Sequence, residues 1–174
     1  MNVIGAIGTN LAALALWGFI ASAVMATLLE GAQLSGRTRM SLPFLFGAFV
    51  SGNRRSAVIF GYVLYLLGGW AFALLYALCL QSLRLHSVWA SGLFGLVMGL
   101  AHGLFLIAVF LPLLPYIHPR LATDYDGTAA LARLEPPGPF GLNYGWATPL
   151  VTVFAQALFG VIFGLGYGAA IATG

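Results

Sequence analysis

His102 stands alone among apolar side chains in GLVMGLAHGLFLIAVFLPLLPYIHPR, residues 95–120. Imidazole changes charge near neutral pH and is the commonest metal ligand, so three chemistries are open to it. As a neutral ring it can hydrogen-bond to a neighbouring helix. As an axial ligand it can hold haem or a chlorophyll-type pigment, for which its small neighbours Ala101 and Gly103 leave room. As a proton carrier it needs a carboxylate, and Glu30 is the only acidic residue in or near another apolar stretch. A Glu30–His102 pair is therefore the expectation for a proton or ion relay. Gln156 is a further polar residue in apolar surroundings, with an amide able to bond across helices.

Other reactive residues fall into no catalytic or metal-binding pattern. Cys79 is the sole cysteine, which leaves neither an internal disulfide nor a cysteine metal cluster. His86 and His118 are too widely separated along the chain for a bis-histidine haem. His118, in YIHPR, reads as a helix cap that pairs with loop carboxylates. TDYDG reads as a turn, because the other oxygen ligands and the closing glutamate of a calcium loop are missing. No Ser/His/Asp arrangement, phosphate loop or HExxH occurs, so neither a catalytic nor a metal site is expected.

The elements that must position these residues are membrane spans. Of 174 residues, 61% are hydrophobic and 6% charged, with a mean hydropathy of +0.98. A soluble surface needs roughly a quarter charged residues. Four stretches reach the length of about 20 residues that a spanning helix takes: Leu11 to Leu34, Ala57 to Leu80, Val88 to Leu114 and Pro149 to Ala172. The predicted fold is all-α, a four-transmembrane-helix bundle forming one membrane domain over residues 1–174. His102 then lies about 14 residues into the third helix, roughly 21 Å along its axis and past the bilayer centre.

The seven basic residues are all arginine and give a net charge of +3. They are not clustered as a nucleic-acid footprint would be. Six lie in loops 35–56 and 115–148, which the positive-inside rule places in the cytoplasm with both termini outside. Arg37, Arg39, Arg54 and Arg55 read as topology anchors that would meet anionic lipid headgroups. Between them SLPFLFGAFV is too short to span and too apolar for water, and is expected to be re-entrant or interfacial. The other loop carries Pro115, Pro119, Pro136, Pro137 and Pro139 with several aromatic residues, the composition of an ordered cap. The amino-terminal MNVIGAIGTN lacks the basic region of a secretory signal and is read as mature chain.

Helices in lipid associate where small residues recur four apart. Such rows are Ser91, Gly95, Gly99 and Gly103 in the third span and Gln156, Gly160, Gly164 and Gly168 in the fourth, with shorter rows Gly18, Ser22, Ala26 and Gly69, Ala73, Ala77 in the others. The third and fourth helices are expected to pack tightly. The alternative is that these grooves admit a flat cofactor or a second protein. An internal repeat matches Leu67, Gly69, Phe72, Leu74 and Tyr76 with Leu158, Gly160, Phe163, Leu165 and Tyr167 at an offset of 91, and Met25 with Met98. It implies two helical hairpins of one orientation about a pseudo-two-fold axis.

LPFLFGAFVSGNRR, GGWAFALLYAL, GLAHGLF, LPLLPYIHPR and LEPPGPFGLNYG together resemble a group of small bacterial four-span integral membrane proteins with no assigned activity. The resemblance implies the bacterial inner membrane and supplies no catalytic residue. The expected function is that of a non-enzymatic accessory or assembly subunit of a membrane complex, partnered by lipids and by other membrane subunits or by itself. Two alternatives are a small solute or proton-coupled ion carrier using Glu30 and His102, and a haem- or pigment-binding protein using His102.

Overall fold

The computed structural model describes residues 3–121 and 134–173. The TDYDG segment, Tyr125 and Arg133 lie outside the described residues. Elements run in the order α1 (Val3–Thr9), α2 (Leu11–Leu34), α3 (Leu42–Val50), α4 (Arg54–Ser82), α5 (Val88–Phe105), a π-helical turn (Leu106–Phe110), α6 (Leu111–Ile117), a 3-10 turn (Pro139–Tyr144) and α7 (Thr148–Thr173). Four helical stretches are long and apolar enough to cross a membrane: Leu11–Leu34, Arg54–Ser82, Val88–Ile117 and Thr148–Ala172. The protein is an all-α four-helix bundle.

Span boundaries follow from caps and prolines. The second span starts three residues before its expected start, because the Asn53 side chain accepts a hydrogen bond from the Ser56 amide, 3.2 Å, and caps α4. The third runs past Leu114 to Ile117 and widens on the way. Pro112 has no N–H, and its ring would clash with the carbonyl four residues back in a regular helix. The π turn at Leu106–Phe110 accommodates this, with the Leu111 amide bonding to the Leu106 carbonyl five residues earlier.

SLPFLFGAFV forms α3, a nine-residue helix folded back onto the start of α4. The approach is backbone to backbone: a methyl on Gly47 would run into the Ala57 carbonyl, and one on Gly61 into that of Pro43. Leu42, Leu45 and Ala48 of α3 are buried.

The two hairpins repeat each other's contacts. In the first, Gly69 of α4 lies against Ser22 of α2, and Gly18 against Ala73. In the second, Gly160 of α7 lies against Gly95 of α5, and Gly164 against Ser91. Moving α4 by 91 positions and α2 by 73, the Met25 to Met98 spacing, converts the first set into the second. The small-residue rows thus build equivalent helix pairs, and Gly99 against Gln156 and Gly103 against Val153 extend the α5–α7 seam. A flat cofactor has no room in that seam.

Between hairpins the symmetry breaks. α2 packs along α7, where Trp17 covers Gly166, whereas α4 and α5 touch at few positions. A cleft remains between α4 and α5. Side chains such as Phe19, Ile59, Leu67, Leu93 and Phe154 project outward, and Trp89, Tyr116 and Trp146 are exposed at span ends, the arrangement of a lipid-facing surface with interfacial aromatics.

The cap over residues 134–147 is tied to the first loop. The Arg39 amide donates to the Tyr144 carbonyl, 2.7 Å, while its guanidinium bonds Glu135 at 2.9 Å and the Asn143 carbonyl. Thr38 and Thr148 share a buried hydroxyl hydrogen bond of 2.7 Å.

Candidate ligand-binding site in the α4–α5 cleft

Helix geometry turns His102 into the cleft. Gly103 faces α7, and the preceding position lies about 100° around the helix, toward α4. The same step separates Ala73, which faces α2, from Phe72. The two rings meet across the gap, stacked with centroids 3.7 Å apart and planes inclined by 28°. This is the interhelical contact His102 makes; no hydrogen bond from a described residue reaches its Nδ1.

Beside this pair is a cavity of about 340 Å³. Its walls are overwhelmingly apolar, with Phe46 from α3, Phe72 from α4, Phe105 and Phe110 from the third span and Phe159 from α7. Three polar side chains line it: Tyr65, His102 and Gln156. Tyr65 is 6% exposed and Gln156 2%. The Tyr65 hydroxyl, the His102 Nδ1 and the Gln156 Oε1 are buried without a hydrogen-bond partner among the described residues. Such atoms cost about 1–3 kcal/mol each when left unsatisfied. Tyr65 and Gln156 are near neighbours, and they occupy equivalent places in the two repeats, each four residues before a contact glycine.

The π turn contributes directly, since Leu106 and Phe110, its first and last residues, both line the cavity. Widened turns of this kind occur often at functional sites. On the opposite wall Gly68 faces open space, with no atom within 4 Å of where a β-carbon would stand.

Glu30 does not join this site. Its Oε1 accepts a hydrogen bond of 2.9 Å from the Ser41 hydroxyl, and the same hydroxyl accepts from the Phe44 amide to cap α3. The Glu30–His102 pair expected from the sequence is not formed. The reason is that α3, folded back on the bundle, presents its capping residue to the end of α2. A carboxylate near a helix N-terminus is electrostatically favourable.

A haem or chlorophyll-type pigment does not fit the residues present. The lining carries no cation to pair with propionates. A cavity of about 150 Å³ suits one benzene, and this one, little more than twice that size, is small for four linked pyrrole rings. Among the described residues no group of three His, Cys, Asp or Glu could hold a metal.

His118 also departs from expectation. It is buried and meets no described carboxylate. Its Nδ1 accepts from the Arg120 and Leu121 amides at 3.0 and 3.1 Å, which places the ring proton on Nε2, directed at the Leu45 carbonyl 3.0 Å away. Burial holds the imidazole below its ordinary range and Arg120 adds to this, against the opposing Leu45 bond. Arg120 binds the carbonyls of Ala48 and Phe49 and so caps the end of α3. The sequence reading missed this clamp, although YIHPR lies beside a helix end that its charge suits. Of the four arginines read as anchors, Arg39 is engaged with Glu135 and Arg54 lies over the Phe44 ring, while Arg37 and Arg55 are exposed. No protein-family model, curated protein or solved structure matches the chain.

Proposed function

We propose that this protein is a non-enzymatic membrane protein that takes a small lipid-soluble molecule from the bilayer into its α4–α5 cleft. It would act as an accessory or assembly subunit of a bacterial inner-membrane complex, or as a homo-oligomer. The observation that carries the reading is the apolar cavity whose lining includes three side chains that each bury a polar atom without a described partner. Ligand pockets have this composition, largely hydrophobic with a few placed polar groups. The outward apolar side chains support lipid or subunit contacts. The arginine-rich loops support a topology with both termini outside, and the resemblance to small bacterial four-span proteins supports the location. The carrier reading loses its geometric basis, because Glu30 is bonded to Ser41.

The test is purification from native membranes in mild detergent, with one peak analysed for subunits, visible absorption and extractable small molecules. A bound small molecule near one per chain is expected. A peak free of any such molecule, even when purified in native lipid nanodiscs, would overturn the reading.

A further inference from the structure

The polar atoms on the cavity wall specify more than an apolar guest. Gln156 Oε1 can only accept a hydrogen bond and has no described partner, so a guest that donates would satisfy it. The neighbouring Tyr65 hydroxyl, close enough to Gln156 to interact with it yet without a described partner at hydrogen-bond distance, can donate to a guest that accepts close to the same point. One hydroxyl group does both, donating to Gln156 and accepting from Tyr65. Around it stand Phe46, Phe72, Phe105, Phe110 and Phe159, besides the Tyr65 and His102 rings. Aromatic pairs gain about 0.5–1.5 kcal/mol beyond the area they bury, which favours a flat ring over a branched chain. The volume, about twice that which suits benzene, takes two fused rings or one substituted ring.

We infer that the cleft binds a hydroxylated aromatic ring, a phenol or hydroquinone carried in the lipid phase, with its hydroxyl between Tyr65 and Gln156. This rests on the cleft being a ligand site. His102, stacked on Phe72, closes one side of the slot.

Three bicyclic probes separate the two levels of the inference. Naphthalene has the shape alone, 2-methoxynaphthalene adds an acceptor, and 2-naphthol adds donor and acceptor. Binding to protein-containing micelles is measured by equilibrium dialysis against empty micelles. The expected order is 2-naphthol tightest, by about ten-fold over naphthalene, as one or two net hydrogen bonds provide. 2-Methoxynaphthalene is expected between them. In Tyr65→Phe and Gln156→Leu the preference for 2-naphthol should shrink toward the naphthalene level while naphthalene binding persists. Persistence of naphthalene binding also shows that these variants fold. Equal binding of 2-naphthol and naphthalene by the wild type would overturn the hydroxyl assignment and leave the pocket standing. Absence of protein-dependent binding by all three probes would overturn the pocket itself.

Discussion

The His102 imidazole and the Phe72 ring, 3.7 Å apart, bridge the side of the bundle where its two hairpins fail to close. The α3–α4, α2–α4 and α5–α7 seams bring glycine, alanine and serine into close approach. This one is made by two rings, and beside it lies the cavity.

His102→Ala removes the bridge and should lower stability in detergent by about 1–3 kcal/mol, from the lost ring contact and the space left behind. His102→Phe keeps a stacked ring and should lose less than half as much. Thermal unfolding of the two variants distinguishes this from a hydrogen-bonding role, in which both would be equally damaging.

Gly95→Ala and Gly160→Ala place a methyl against a carbonyl of the facing helix and should each destabilise by about 1–3 kcal/mol. Gly31→Ala, at a position with nothing within 4 Å, should be neutral or stabilising. Denaturant titration in micelles checks the contrast.

His118 sets a pH dependence. Its folded-state value is held below the ordinary one near 6.5, so as pH falls the unfolded chain takes up the proton first. Stability present above about pH 6.5 is therefore lost progressively below it. The thermal transition should fall between pH 7 and about pH 5.5, and His118→Asn should flatten that fall.

Arg39→Ala breaks an exposed ion pair with Glu135, worth less than about 1 kcal/mol, together with a bond to the Asn143 carbonyl. Global unfolding should barely change, yet protease cleavage within residues 134–147 should accelerate, because the cap loses its side-chain tie to the first loop and keeps only the Arg39 amide bond to the Tyr144 carbonyl and the Thr38–Thr148 bond.

The seams were legible because their signal is local: small residues four apart can serve no better purpose in lipid than close packing. The repeat was legible for the same reason, since Gly69 with Gly160 and Ser22 with Gly95 perform identical tasks. His102 and Gln156 stood out as polar residues in apolar runs, but Tyr65 did not, because tyrosine is common near membrane interfaces. Its equivalence to Gln156 in the repeat was the available signal. Glu30 was misassigned because depth along a helix says nothing about what a re-entrant segment brings alongside it. Only once α3 is folded onto α4 does Ser41 reach the carboxylate. The His118 and Arg120 clamp was likewise invisible until the carbonyls of Leu45, Ala48 and Phe49 had been placed.

A ligand in the α4–α5 cleft must pass position 68. Gly68 lines the cleft and leaves open space around an added β-carbon, so a larger side chain there is expected to occupy cleft volume. Naphthalene uptake should fall stepwise through Gly68→Ala, Gly68→Leu and Gly68→Phe, with the thermal transition unchanged or raised. Full uptake by a stably folded Gly68→Phe would contradict the account.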